Sequence, residues 1–82
     1  MKTTVEISKY PLTHDYEPPI LDFIKRLNAN DNFTVKTNAT STHITGNYDE
    51  VMEALQKEIK TSFEKYGKAI FVMKVLLGEL DI

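Results

Sequence analysis

Ala69-Ile70-Phe71-Val72-Met73-Lys74-Val75-Leu76-Leu77 is a strand-length run that is apolar on both faces, with Lys74 its single interruption. A strand in a sheet with one solvated face alternates apolar and polar residues. This one does not, so both of its faces need cover. Working back along the chain shows what can supply it. Gly67 stands just before the run and closes a long helical pattern as a left-handed cap. Within that pattern Met52, Leu55, Ile59, Phe63 and Tyr66 recur at steps of three and four, the stripe of one buried helix face. Tyr48-Asp49-Glu50 opens it, with its acids set against the positive end of the helix dipole. Asp49, Glu50, Glu53 and Glu58 interleave with Lys57 and Lys60 and read as a solvated face of i,i+4 pairs.

Ahead of that helix, Thr40–Thr45 reads as a strand broken at Gly46-Asn47. Thr40, Thr42 and Ile44 fall on one face, Ser41, His43 and Thr45 on the other. Phe33 and Val35 alternate with Thr34 and Lys36 in the preceding strand, and Thr37-Asn38-Ala39 joins the two as a hairpin. Earlier still, Ile20, Phe23, Ile24 and Leu27 share a helical face. Pro18 and Pro19 fit its entry, where absent N–H groups cost nothing. Asn28–Asn32 stops it with turn-forming side chains. Thr3–Leu12 is the first strand, with Val5 and Ile7 alternating against Thr4, Glu6 and Ser8 until Pro11 ends or bulges it.

The order is β-α-β-β-α-β, the ferredoxin-like α+β arrangement. Right-handed crossovers put both helices on one face of a four-stranded antiparallel sheet. The expected core is Val5, Ile7, Ile20, Ile24, Leu27, Val35, Ile44, Met52, Leu55, Ile59 and Phe63. The helix-free face then lacks cover beneath the last strand, and no segment is left over to give it. A second copy is the simplest cover, so the sequence predicts a homodimer or homotetramer. The tail Gly78–Ile82 is expected to fray or to pack on a neighbour.

Composition agrees with this picture. The 82 residues make one domain, 1–82, with 41% hydrophobic and 27% charged residues. A domain of this size buries only roughly 60–65% of the surface its unfolded chain exposes. There is no cysteine, so neither disulfides nor thiolate metal sites can add stability. The formal charge is −2 with no basic stripe, which argues against nucleic acid as a partner. No apolar run approaches the ~20 residues that span a bilayer, so no direct membrane insertion is expected. Glu6 interrupts any signal-peptide core, and the expected location is cytoplasmic.

The chain offers no catalytic constellation. Its three glycines stand apart, and His14 and His43 lack ligand spacing, so no enzyme, metal or cofactor is expected. Three polar features have two readings each. Glu6, Ser8 and Tyr10 share a face of the first strand: a solvated surface, or, if covered, a site in which the carboxylate needs a partner. Ser41-Thr42-His43 lies in the neighbouring strand: a Thr-rich strand of high β propensity, or a set of ligand contacts. Lys74 either pairs with Glu6 or sits at an oligomer rim, or else touches a ligand. Hydroxyls, a carboxylate and an aromatic ring lining a dry cleft suit a small heteroaromatic molecule.

Two of these segments carry a family resemblance. Ile7-Ser8-Lys9-Tyr10-Pro11-Leu12 resembles the S-x-Y-P-L end of the first strand in YkoF-like thiamin- and hydroxymethylpyrimidine-binding proteins. Ser41-Thr42-His43-Ile44-Thr45-Gly46-Asn47-Tyr48-Asp49-Glu50-Val51 resembles that family's passage from third strand to second helix. The matches fall at Ser8, Tyr10 and Pro11, then at Thr42, Ile44, Gly46 and Asp49. The resemblance implies a ferredoxin-like fold, dimers or tetramers, and binding of thiamin or its pyrimidine in vitamin salvage or transport, without catalysis. On that reading Glu6 faces the cationic thiazolium, Ser8 or Thr42 meets the aminopyrimidine, Tyr10 stacks on a ring, His43 lines the cleft and Lys74 stands near its rim. The alternative is a structural or regulatory homo-oligomeric module without a small ligand. By simple alternation Thr42 shares a face with Ile44, whereas Glu6, Ser8 and His43 lie on the other. One pocket can collect them only at a subunit junction or through a register shift.

Overall fold

Alternation along Val5 and Ile7 produces the first strand, β1 (Lys2–Pro11), in a computed structural model that describes residues 1–82. It is followed by α1 (Glu17–Asn28), β2 (Thr34–Thr37), β3 (Thr42–Asn47), α2 (Tyr48–Tyr66) and β4 (Ala69–Leu77). The strands form one antiparallel sheet in the order β2-β3-β1-β4, the ferredoxin-like arrangement. The long central strand β1 pairs with β4 from Thr3↔Leu77 to Pro11↔Ala69, without a bulge. Its pairing with β3 is equally regular but shorter, from Lys2↔Asn47 to Ile7↔Thr42.

Odd-numbered β1 residues face the helices. Val5, Ile7 and Ile44 from the sheet pack with Phe23 and Leu27 from α1 and with Val51 and Leu55 from α2. These are the fully enclosed apolar residues. Phe33, Val35, Met52, Ile59 and Phe71 are partly buried around them. Ile20 and Ile24 are half-buried rather than central, and Phe63 is 45% exposed. The second helix is thus turned by about one residue from its expected azimuth, so that Val51, Leu55 and Ser62 point inward. Arg26 explains the buried serine. Its guanidinium reaches from α1 to the Ser62 hydroxyl at 2.8 Å, to Glu58 at 2.6 Å and to Asp22 at 3.0 Å. A charge-assisted network therefore fastens one end of the α1–α2 contact.

Gly46 does not break β3. It lies buried within the strand, where an added Cβ would meet Phe33 Cδ1 at 3.0 Å and Val51 Cγ2 at 3.3 Å. The absent side chain lets α2 close on the sheet. Asn47 then caps α2, its side-chain oxygen accepting from the Asp49 and Glu50 N–H groups. At the other end Gly67 has φ 84° and ψ −146°. That is a glycine-only region outside the left-handed helical well, so the stop differs from the expected cap.

The tail also departs from expectation. It folds back over the helix-free face of its own sheet. The Gly78 N–H donates to the Lys2 carbonyl, and the Leu80 N–H donates to Thr4 Oγ1. Asp81 and Ile82 arrive beside Lys36 and His43. Part of the face that lacked cover is thus covered from within the chain. No helix is long and apolar enough to cross a membrane.

Candidate functional site

The site arises from a mismatch of strand lengths. β3 stops pairing with β1 at Ile7↔Thr42, but β1 continues to Pro11. Beyond Ile7, β1 is held only by β4 on one edge. Ladder alternation aims the odd-numbered peptide groups at β3, so the Lys9 peptide faces the resulting gap. Across the gap stands the β2–β3 turn. Asn38 shapes it: its side-chain oxygen accepts from the Thr40 and Ser41 N–H groups, and its own N–H donates to the Ser41 carbonyl. The turn therefore runs over Asn38–Ser41, centred between Ala39 and Thr40 rather than at the expected Asn38. Ser8 Oγ spans the gap and donates to the Thr40 carbonyl at 3.1 Å.

The start of α1 closes the third side, leaving a cleft of about 510 Å³. Pro18 and Pro19 lie in the first turn of that helix and fix its entry. Aromatic surface comes from Tyr10, Tyr16 and Phe23, and aliphatic surface from Ile20 and Ile24. Hydroxyls come from Ser8, Thr13, Thr40 and Thr42 among others. The volume lies within the roughly 300–1,000 Å³ common for small-molecule sites.

Lys9 is the unexpected member. Alternation carries its side chain to the helix side with Val5 and Ile7, and the residue is only 9% exposed. Its ammonium donates to the Pro19 carbonyl at 2.9 Å. It also lies 5.6 Å from the Phe23 ring centre, 5.3 Å from that of Tyr66 and 5.5 Å from that of Phe71. Removal from water, reinforced by the nearby Arg26 charge, lowers the Lys9 pKa below its ordinary value. The signal for it was present in the sequence, since a lysine at an inward position of an alternating strand must find an acceptor.

The six nominated residues divide into two groups. Ser8, Tyr10 and Thr42 line the cleft. Ser8 and Tyr10 belong to the helix-free side and Thr42 to the helix side; they meet because the gap opens the sheet between them, and no register shift is involved. Glu6, His43 and Lys74 do not line it. They sit side by side on the helix-free face, across β3, β1 and β4. His43 Nε2 is 3.1 Å from Glu6 Oε2, and Lys74 Nζ is 3.5 Å from Glu6 Oε1. Glu6 therefore already has partners, one of them the Lys74 pairing anticipated from the sequence. No group of His, Asp and Glu side chains is arranged to hold a metal ion.

No protein-family model matches the chain, and no curated protein matches it in sequence. Solved structures do. Protein SP2199 from Streptococcus pneumoniae superimposes with a TM-score of 0.88 at 22% identity, over 98% of this chain and 90% of that one. MJ1052 from Methanocaldococcus jannascii gives 0.81 at 22% identity, over 99% and 84%. TM0486 from Thermotoga maritima, provisionally named a thiamine biosynthesis/salvage protein, gives 0.85 at 15% identity, over 95% and 85%. What these share with the chain is the fold.

Proposed function

We propose that this chain is a non-catalytic binding protein for a thiamin-like heteroaromatic, thiamin or its hydroxymethylpyrimidine moiety, in vitamin salvage or transport. The observation that carries the reading is the cleft itself. It combines ring-stacking surface from Tyr10 and Tyr16 with a wall of hydroxyls and one open strand edge. Stacking fixes the plane of a flat ligand. Hydroxyls can donate or accept, so they suit an aminopyrimidine that presents both kinds of group at its rim. The provisional name of TM0486 points the same way.

Titration calorimetry of the full chain with hydroxymethylpyrimidine and with thiamin tests this. Binding of at least one is expected. Ser8→Ala should weaken it by about tenfold, since loss of one buried hydrogen-bonding partner costs ~1–3 kcal/mol. Circular dichroism should show the fold intact. The absence of heat with both compounds overturns the reading.

The assembly is part of the same proposal. β4 is an edge strand whose residues Val72, Met73, Val75 and Leu76 are all 40–53% exposed. A second copy lying against it gives the homodimer, and pairing of dimers the homotetramer.

A further inference from the structure

The cleft has a charge character that the thiamin-like reading leaves undefined. Sixteen residues line it, none of them Asp, Glu or His, and Lys9 alone among them carries a charge at neutral pH. That charge has no carboxylate partner: none of the five ion pairs in the molecule includes Lys9. Its nearby cation, Arg26, is paired with Asp22 and Glu58. Lys9 is held instead by the Pro19 carbonyl and three aromatic rings, all neutral, and only Asp22, at longer range, opposes its charge.

We propose that the cleft selects an uncharged pyrimidine over a cationic, thiazolium-bearing ligand, and that Lys9 is the residue that sets this preference. The inference rests on the heteroaromatic-binding reading and sharpens it. A cation entering the cleft gives up water, meets no carboxylate and approaches a fixed positive charge. Each of these opposes it, and the shielding that water gives is weakest where water is excluded. Aromatic rings can hold a cation, but the Phe23 ring already has Lys9 at 5.6 Å and Arg26 at 6.0 Å. Tyr10 and Tyr16 are more than half exposed, so their pull is diluted by solvent. Asp15 and Glu17 flank Tyr16 in sequence but do not line the cleft. Glu6, the carboxylate nominated for the thiazolium, is committed to His43 and Lys74 on the other face. A neutral pyrimidine meets none of these obstacles. Its donors and acceptors can exchange with Ser8, Thr40 and Thr42 and with the Lys9 peptide along the open edge of β1.

The test compares dissociation constants of hydroxymethylpyrimidine and thiamin by calorimetry on the full chain. The pyrimidine is expected to bind about tenfold tighter or more. Two variants should shrink that ratio at least about threefold: Lys9→Met, which keeps the stem and removes the charge, and Thr13→Asp, which places a carboxylate at the exposed rim. Thr13→Asp stands as the test should Lys9→Met fail to fold. Thiamin binding as tightly as the pyrimidine overturns the charge selection and leaves the heteroaromatic site standing. A ratio unmoved in the folded variants overturns the role of charge. No binding of either compound overturns the site and the selection together.

Discussion

Asp22 shows how one side chain ties stability to pH. Burial works to raise its carboxyl pKa, but hydrogen bonds from Arg26 and Lys65 outweigh it and hold the group below its ordinary 3.8. The folded chain therefore releases this proton more readily than the unfolded one. The stabilisation is complete above the unfolded value and is lost as pH falls through the folded one. Asp22→Asn should destabilise the protein by about 1 kcal/mol at neutral pH. It should also flatten the decline in stability below about pH 4. Urea unfolding from about pH 2 to pH 7 checks both, and a variant with the wild-type acid profile contradicts the assignment. This network was not legible in the sequence. Arg26 is 32 residues from Glu58 and 36 from Ser62, and meets them only when α1 lies on α2. Lys9 is a different case, since its place in the Val5-Ile7-Lys9 alternation was readable and only its acceptor, the Pro19 carbonyl, was not. Ser8, Tyr10 and Thr42 could be picked out by residue type. Tyr16, Ile20 and Ile24 could not, because their place in the cleft depends on where the α1 entry comes to rest.

At the scale of elements, the passage from β3 into α2 is the best-defined junction. Asn47 ends the strand in an extended conformation and caps the helix through two N–H groups. Losing such a cap costs ~0.5–2 kcal/mol. Asn47→Ala should lower the thermal midpoint accordingly, whereas Asn47→Ser, which retains an oxygen acceptor, should recover most of the loss. Equal midpoints for the two variants would remove the cap from the account. The existence and order of all six elements could be read from periodicity, and β4 was placed to the residue. The azimuth of α2 could not. The stripe Met52-Leu55-Ile59-Phe63 and the buried set Val51-Leu55-Ser62 share Leu55, and spacing alone does not say which neighbour turns inward. The serine within the true stripe hid it, since its burial depends on Arg26. Gly46 misled for a related reason. Glycine marks either a break or a close approach, and only the packed position of Phe33 and Val51 decides between them.

For the whole molecule, the unresolved stress is β4. It is the longest apolar run in the chain, yet it ends the sheet with one edge unpaired. On the helix side Met73 borders a groove of about 450 Å³ beside α2, with Met52, Ile59 and Phe63 on its far wall. On the other side Ile70, Val72 and Leu76 are exposed, because the returning tail crosses nearer Thr4 and His43. A long, apolar, unpaired edge recruits another strand unless something covers it. The single charge within it, Lys74, leans toward Glu6 and leaves the apolar residues on either side open. A second β4, antiparallel about a two-fold axis, would satisfy the free backbone groups and flank the apolar residues on either side. Sedimentation at micromolar concentration is therefore expected to show a dimer or tetramer. Val75→Lys, in the second half of β4 and already 45% exposed, should leave the folded subunit within about 0.5 kcal/mol of wild type. A lysine placed among the apolar residues where two β4 strands would meet should drive the assembly to monomers. A wild-type monomer at micromolar concentration, or a Val75→Lys assembly as tight as wild type, would show that β4 is not where the copies meet.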